Sequence, residues 1–167
     1  MALTNEQILK RIQDKFGDKV LSHEEPFGLL TLVVDKVINI ELIQFLKTDA
    51  ELQVNFLTDL CGIHYPENKG AEIGVVCHLH SFTNNFRIRL KFFMPEANPS
   101  IRTLSTLFPT ANWQERETFD FYGINFEGHP NLKRILNMDE MNYFPMLKQY
   151  PLEDATREDK NDTYFGR

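Results

Sequence analysis

Residues 72–94 have the sequence EIGVVCHLHSFTNNFRIRLKFFM, which contains the clearest β-hairpin pattern of the chain. From residue 86 to residue 92 apolar and basic side chains alternate, which is the pattern of a strand with one buried face. Asn84-Asn85 provides the turn that joins this strand to the apolar strand before it. The stretch therefore predicts a β-hairpin made of residues 72–82 and 86–94.

Helical and strand patterns alternate on both sides of this hairpin. Thr4 followed by Gln7 predicts a capping box, and a short amphipathic helix then extends to Gly17. We predict an α+β domain over residues 1–123, a two-layer mixed sheet with helices packed on one face. Its other strands are predicted at 19–23, 29–35 and 53–59, and its other helices at 40–47 after an Asn39 cap, 100–108, and 112–122 ending at Gly123.

The composition is that of one folded domain. The chain has 167 residues, of which 42% are hydrophobic and 25% charged, enough to fill a core. No apolar run approaches the ~18 residues of a membrane-spanning helix, and the N-terminus has no export-signal pattern, so we expect a cytoplasmic protein. A net charge of −6 disfavours non-specific nucleic-acid binding, and two cysteines cannot form a disulfide scaffold.

Helical and strand periodicity ends at residue 124. Three prolines then recur among many aromatic and aliphatic residues, which predicts an extended arm over residues 124–152. Such a segment cannot bury its own aromatics, so it lies either on its own domain or on another subunit, and its apolar content favours a large partner. Residues 153–167 are charged, and we expect them to be flexible.

The helix predicted at residues 112–122 carries the richest set of chemical groups. Glu117 and Asp120 form an acid/base pair in one hypothesis, with His129 nearby. In the other hypothesis, Arg116 pairs with Asp120, and Glu117 accepts hydrogen bonds from the arm. The structural hypothesis is favoured, because ion-pair networks also produce such clusters.

Two further patterns suggest binding sites. Cys61, His64, Cys77, His78 and His80 are thiol and imidazole groups of the kind that bind zinc. Strand alternation places Cys77 opposite the two histidines beside it, which favours a core cysteine. The basic strand at residues 86–92 is compatible with an RNA-binding surface, but its aromatic and basic side chains face opposite ways, which favours a solvated or partner-facing strand.

Residues 111–136 have the sequence ANWQERETFDFYGINFEGHPNLKRIL. This resembles the E-R-E-x-x-D-x-x-G-I-x-F-x-G-H-P-x-L-x-R-I-L pattern of the C subunit of bacterial NADH-quinone oxidoreductase, respiratory complex I. Blocks at residues 56–60, 75–79 and 87–91 extend the resemblance over about residues 30–152. The chain departs from the family at its FPMLKQYP run, residues 144–151, where Leu147 and Gln149 replace an arginine and an aspartate.

The resemblance implies a non-catalytic, cofactor-free subunit of the hydrophilic arm of complex I, packed against the quinone-site subunit and peripheral to the cytoplasmic side of the inner membrane. FMN, the iron–sulfur clusters and quinone would belong to other subunits of a complex that passes electrons from NADH to quinone and pumps protons. The alternatives are an equivalent subunit of a membrane-bound hydrogenase-type complex, a free-standing acid/base enzyme and an RNA-binding module.

The residues expected at the subunit interface lie on the helix, in the turn after it and along the arm. Gly128 allows unusual dihedrals in that turn, and Pro130 keeps the preceding residue extended. The set is Trp113, Glu115, Arg116, Glu117, Asp120, Gly123, Phe126, Gly128, His129, Pro130, Leu132, Arg134, Pro145, Lys148 and Pro151.

Overall fold

Helices and strands are mixed along the chain in the computed structural model, which describes residues 3–151. The predicted tail, residues 153–167, lies outside the described residues. None of the helices within residues 3–151 is long and apolar enough to cross a bilayer. The elements are α1 (Asn5–Phe16), β1 (Val20–Glu24), β2 (Leu30–Val34), α2 (Asn39–Thr48), β3 (Phe56–His64), β4 (Ile73–Ser81), β5 (Phe86–Met94), β6 (Ser100–Arg102), α3 (Ala111–Tyr122) and β7 (Asn125–Glu127).

Five strands form one mixed sheet in the order β1-β2-β5-β4-β3. Neighbouring strands are antiparallel except β2 and β5, which are parallel. The hairpin that the alternation predicted is confirmed, since β4 pairs with β5 from Ser81–Phe86 through to Ile73–Met94. Strands β6 and β7 form a separate parallel pair.

The core lies on one face of the five-stranded sheet. Along β5 the alternate side chains of Phe86, Ile88, Leu90, Phe92 and Met94 are buried, whereas the opposite face carries the exposed Arg87 and the half-buried Phe93. Ile8 and Ile12 of α1 and Leu42, Ile43 and Leu46 of α2 are fully buried in the same cluster. Burial of each such side chain contributes about 1.5–3 kcal/mol, so this single layer of contacts holds helices to sheet. The α+β fold class is as predicted.

The predicted helix at residues 100–108 is wrong. Ser100–Arg102 is strand β6, which pairs with β7, and turns follow it. Ser100 is opposite Asn125 in this pair, and the backbone N–H of Thr103 donates to the carbonyl of Glu127 at 3.0 Å. A partner 25 positions away supplies these bonds, so local helical spacing could not reveal the strand.

Asn39 does not cap the second helix. The residue at the N-cap is Ile38, and Asn39 is buried, with its Nδ2 donating to the carbonyl of Arg102 at 2.7 Å. The strand predicted at residues 53–59 is also displaced, because β3 spans Phe56–His64. The limits of β3 are set by its backbone pairing with β4, and the composition of residues 53–64 does not reveal them.

The first residues of the predicted arm belong to the domain. Ile124 is fully buried, Phe126 is 3% exposed, and Asn125–Glu127 is strand β7. Gly123 ends α3 in the left-handed conformation at φ +75°, as the sequence predicted. The polypeptide leaves the domain core only at Gly128, which also has a positive φ.

Helix α3 lies so close to β3 that no side chain fits between them at Gly62. A Cβ at Gly62 would overlap the ring of Tyr122. We expect Gly62→Ala to lower the free energy of unfolding by about 1–3 kcal/mol, because the ring and its helix must move. Urea denaturation measures this effect, with Thr58→Ala at an exposed position of β3 as the control. Equal losses for the two variants would contradict this packing.

Candidate functional site

The carboxylate of Asp120 on α3 binds the backbone of the arm. Its Oδ2 accepts hydrogen bonds from the backbone N–H groups of Ile135, Leu136 and Asn137, at 3.0, 2.8 and 2.9 Å. Its Oδ1 accepts from a guanidinium nitrogen of Arg134 at 2.7 Å and from Nδ2 of Asn137 at 3.1 Å. One side chain therefore fixes four consecutive residues of the arm against the domain.

Asp120 is ionised although its side chain is fully buried. Burial by itself raises a carboxyl pKa, but the three backbone N–H groups and Arg134 outweigh burial and hold the pKa of Asp120 well below its usual range. The side chain of Arg134 is 9% exposed, so both charges of this pair are removed from water. Such a pair is stable only when its remaining polar atoms are also bonded, as they are here.

Arg134 closes a loop of the arm, residues 134–144, which we call the Arg134 loop. Its guanidinium donates to the carbonyls of Met141 and Tyr143 at 2.8 and 3.0 Å, and to the backbone carbonyl of Asp120 at 3.0 Å. The ring of Phe144 lies 5.1 Å from the guanidinium carbon. The planar fork of arginine suits this role, because its donors reach several acceptors at once.

The helix contributes a second arginine to the same contact. Arg116 donates to the carbonyls of Lys133 and Arg134, both at 3.1 Å, and its guanidinium carbon lies 5.1 Å from the ring of Trp113. The predicted pair between Arg116 and Asp120 is therefore wrong. Asp120 lies on the side of α3 that the arm covers, and its guanidinium partner there is Arg134 of the arm.

Glu117 does not accept hydrogen bonds from the arm within the described residues, so that prediction is also wrong. Its side chain is exposed, one turn before the buried Asp120. The acid/base hypothesis required Glu117, Asp120 and His129 to meet. They do not meet. The carboxylate of Asp120 accepts hydrogen bonds from the arm, and His129 is hydrogen-bonded to Asn112 and Asn131.

Glu115 ties α3 to the segment that follows β6. Its side chain is fully buried and accepts from Oγ1 of Thr103 at 2.5 Å and from the backbone N–H of Leu104 at 2.6 Å. Burial raises the pKa of Glu115 to about 7, and the two donors only partly oppose this rise. Burial therefore favours the protonated form of Glu115 over a wider pH range than for an exposed carboxyl.

His129 fixes the turn between the domain and the arm. Its side chain is fully buried, and the backbone N–H of Asn131 donates to Nδ1 at 3.0 Å. The hydrogen therefore lies on Nε2, which donates to the carbonyl of Asn112 at 3.0 Å. Gly128, with φ +83°, makes the turn before it. The predicted G-H-P turn residues occupy the place where the backbone leaves the core.

The arm continues along α3 and ends against β3. Phe144 packs on Gly123 and lies 6.0 Å from the ring of Phe119. Leu147 is 7% exposed and joins the core cluster. The backbone N–H of Lys148 donates to Nδ1 of the buried His64 at 3.0 Å. No local pattern indicated the roles of His64 and Leu147, because both depend on contacts between distant segments.

The remaining predicted interface residues take different positions. Leu132 and Pro145 are half-buried, whereas the side chain of Lys148 and Pro151 are exposed. Trp113 is 61% exposed, and its ring lies 5.1 Å from the guanidinium carbon of Arg116.

The outer side of the arm exposes apolar side chains. Leu136 is 64% and Met138 70% exposed at the Arg134 loop. Tyr143 and Met146 follow at 39% and 41% exposure. The arm therefore has one side bound to its own domain and another side that remains uncovered in the single chain.

The proposed thiol and imidazole ligands do not converge. Cys77 is fully buried in the core, while Nε2 of His78, on the opposite face, accepts from Nε of Arg89 at 2.8 Å. Within residues 3–151 no three His, Cys, Asp or Glu side chains are grouped to bind a metal ion. Arg87 and Arg89 lie opposite the buried aromatics of β5, as the alternation predicted.

The family model of the respiratory-chain NADH dehydrogenase 30 kDa subunit matches residues 32–156. An NADH-quinone oxidoreductase C subunit from Roseiflexus sp. is 43% identical over 152 residues, which cover 91% of this chain and 87% of the relative. The C subunit of the same enzyme from Caulobacter vibrioides is 43% identical over 133 residues, 80% of this chain and 66% of the relative.

Two solved structures are also similar. The trypsin-resistant fragment 1–134 of Nqo5 is 29% identical, with a TM-score of 0.66 over 76% of this chain and 98% of the fragment. A chain of an archaeal membrane-bound sulfane sulfur reductase has a TM-score of 0.73 over 88% of this chain and 85% of its own. At 21% identity the second likeness concerns the fold alone.

We expect Asp120→Asn to release the arm. The amide cannot accept all the bonds of the carboxylate, and it leaves Arg134 buried without a counter-charge, which costs about 3–5 kcal/mol of stability. Urea denaturation measures the loss, and limited trypsin digestion detects new cleavage after Lys133 or Lys148. Glu117→Gln, on the exposed side of the same helix, is the control. If trypsin cleaved the Asp120→Asn chain at the same sites and rates as the wild type, the proposed role of this carboxylate would be refuted.

Glu115 makes stability depend on pH. Its folded pKa of about 7 exceeds the ordinary 4.5, so the folded state binds the extra proton between these values, and stability falls as pH rises from about 4.5 to 7. The full loss is about 3 kcal/mol. Glu115→Gln should remove this part of the slope in urea titrations at a series of pH values, while Glu117→Gln should keep it. Parallel curves for wild type and Glu115→Gln would contradict the assignment.

Proposed function

Because the chain belongs to the family of the respiratory-chain NADH dehydrogenase 30 kDa subunit, we propose that it serves NADH-quinone oxidoreductase, complex I, as a structural subunit. In this role it contributes no catalytic residue and no cofactor, and its arm joins it to a larger neighbour. The observation that carries the proposal is the two-sided arm, which is bound to α3 on one side and exposes Leu136 and Met138 on the other.

The polar groups of the site support a structural role. Asp120, Glu115 and His129 are buried and bonded to groups of this chain. A catalytic acid or base must instead reach the proton of a substrate. The perturbed pKa values of the two carboxyl groups therefore follow from their structural bonds.

The cysteines support a chain without an iron–sulfur cluster. A cluster is usually held by four cysteine thiolates, and this chain has two cysteines. Burial raises the pKa of both thiols, most strongly for the fully buried Cys77, which disfavours the thiolate that binds iron. FMN, the iron–sulfur clusters and quinone then belong to other subunits.

The partner of the arm is, in this proposal, the subunit that forms most of the quinone site in the hydrophilic arm of the complex. The exposed apolar side chains occur along much of the arm, from Ile135 to Met146, which suits a large surface better than a small ligand. The partner-binding part of the predicted arm, residues 124–152, begins at Gly128, since Ile124–Glu127 is in the domain. Membrane association, on the cytoplasmic side of the inner membrane, would occur through the complex.

A subunit of a membrane-bound hydrogenase-type complex, the alternative that the sequence left open, is the second candidate. The fold shared with the archaeal reductase chain does not by itself separate the two candidates. The polypeptides that co-purify with the tagged chain from native membranes discriminate the two. Subunits that bind NADH and flavin support the first candidate, and a hydrogenase catalytic subunit supports the second.

We expect the double variant Leu136→Asp, Met138→Asp to lose its partner. Two apolar contacts, worth about 1.5–3 kcal/mol each, would be replaced by buried charges, so recovery of the partner should fall at least about tenfold. The measurement is quantitative mass spectrometry of the tagged chain's co-purified proteins. Leu21→Asp, which changes a 62% exposed leucine of β1, is the control. Undiminished recovery with the double variant would refute the proposed interface.

A further inference from the structure

A groove lies between the outer edge of β3 and helix α3. β3 is the last strand of the five-stranded sheet, so one of its edges has no strand partner within residues 3–151. The groove has a volume of about 220 Å³ and is lined by residues 59–62 of β3, by one turn of α3 and by Met146 of the arm. Phe121, Tyr122 and Met146 give it an apolar wall.

Two carboxylates flank this groove, Asp59 on the strand and Glu117 on the helix. Both lie close enough to the Cys61 thiol to raise its pKa, after burial, which is the main cause. Glu117 forms no ion pair within the described residues. The cation next to it in sequence, Arg116, is bonded to carbonyls of the arm.

Within residues 3–151 Asp59 forms no ion pair with a lysine or arginine. Its nearest basic group is the ring of His78, with Nδ1 3.6 Å from Oδ2. Burial, the main cause, and the guanidinium of Arg89 lower the pKa of His78, which favours its neutral form. Arg89 also acts on the Cys61 thiol, whose pKa it lowers, so one cation partly offsets the two carboxylates. The groove therefore combines an apolar wall, a strand edge without a strand partner in the described residues, and two carboxylates that outnumber the nearby guanidinium of Arg89.

We propose that this groove binds an extended, basic segment of a partner subunit, with an arginine or lysine side chain placed between Asp59 and Glu117. The free edge of β3 accepts the backbone of an extended segment, as in β-strand addition. Residues 59–62 offer room for about four residues at about 3.3 Å each. The groove is continuous with the exposed side of the arm through Met146, so one partner covers both.

The acidic groove disfavours two other occupants. Residues 152–167 of this chain contain five acidic and three basic residues, so their net charge is unfavourable. A second copy of the chain, with its net charge of −6, also brings an excess of negative charge. A basic partner segment is complementary in charge, which gives specificity as well as affinity.

Cys61 provides a probe of this groove, because it lines the cavity whereas Cys77 is fully buried. The experiment compares the rate of N-ethylmaleimide addition to Cys61, by mass spectrometry, in the isolated full chain and in the native complex. We expect the rate to fall at least about tenfold in the complex, with Cys77 unreactive in both as the control for folding.

Charge reversal identifies the kind of occupant. Glu117→Lys should restore fast alkylation of Cys61 in the complex and reduce the recovered complex by about tenfold, with a smaller effect of Glu117→Gln, because like charges repel. Asp14→Lys, at an exposed position of α1, is the matched control and should change neither reading.

The outcomes separate this inference from the proposed function on which it rests. Equal alkylation rates of Cys61 in the isolated chain and in the complex would refute the proposal that a partner segment binds this groove. The proposed function in complex I would not be affected by that result. Protection that Glu117→Lys does not change would overturn the basic occupant. Protection already present in the isolated chain, and lost on truncation after Pro151, would identify residues 152–167 as the occupant. Absence of any complex would instead overturn the proposed function.

Discussion

The buried carboxylate of Asp120 is the group on which the organisation of this protein depends. An ionised carboxylate without access to water is stable only if its oxygens accept hydrogen bonds from the protein. Those of Asp120 accept from three successive backbone N–H groups and from Arg134. Satisfying that charge forces the arm to return to α3 at one position. The same bonds satisfy amides of a segment that has no helix or strand to satisfy them.

The other polar contacts extend this arrangement in both directions. Glu115 holds the segment after β6, and His129 holds the turn where the arm begins. His64, on β3, accepts a hydrogen bond from the backbone N–H of Lys148 near the end of the arm. The arm is thus bonded at its start, middle and end, and its apolar outer side is presented in a defined shape. A pre-shaped surface loses less conformational entropy when a partner binds.

Local patterns accounted for the elements whose bonds are local. The capping box of Thr4 and Gln7, the hairpin of β4 and β5 and the end of α3 at Gly123 are all present as predicted. Each depends on residues at short separation, whose spacing is visible in the sequence. The helix expected at residues 100–108 failed because Ser100–Arg102 pairs with β7, and the Arg116–Asp120 pair failed because Arg134, 14 positions away from Asp120, is the true partner.

Residue patterns were sufficient to predict the fold class, the family and the presence of an apolar segment that lacks periodicity. Three-dimensional contacts were needed to learn which carboxylate binds the arm, which side of the arm remains exposed and where an acidic groove opens beside β3. Periodicity indicates which side chains are buried, whereas the pairing of buried charges depends on distances between segments far apart in the chain. Asp120 and Glu117 lie three residues apart on one helix and differ in burial. The carboxylate of Asp120 is buried and hydrogen-bonded to the arm, whereas that of Glu117 is exposed.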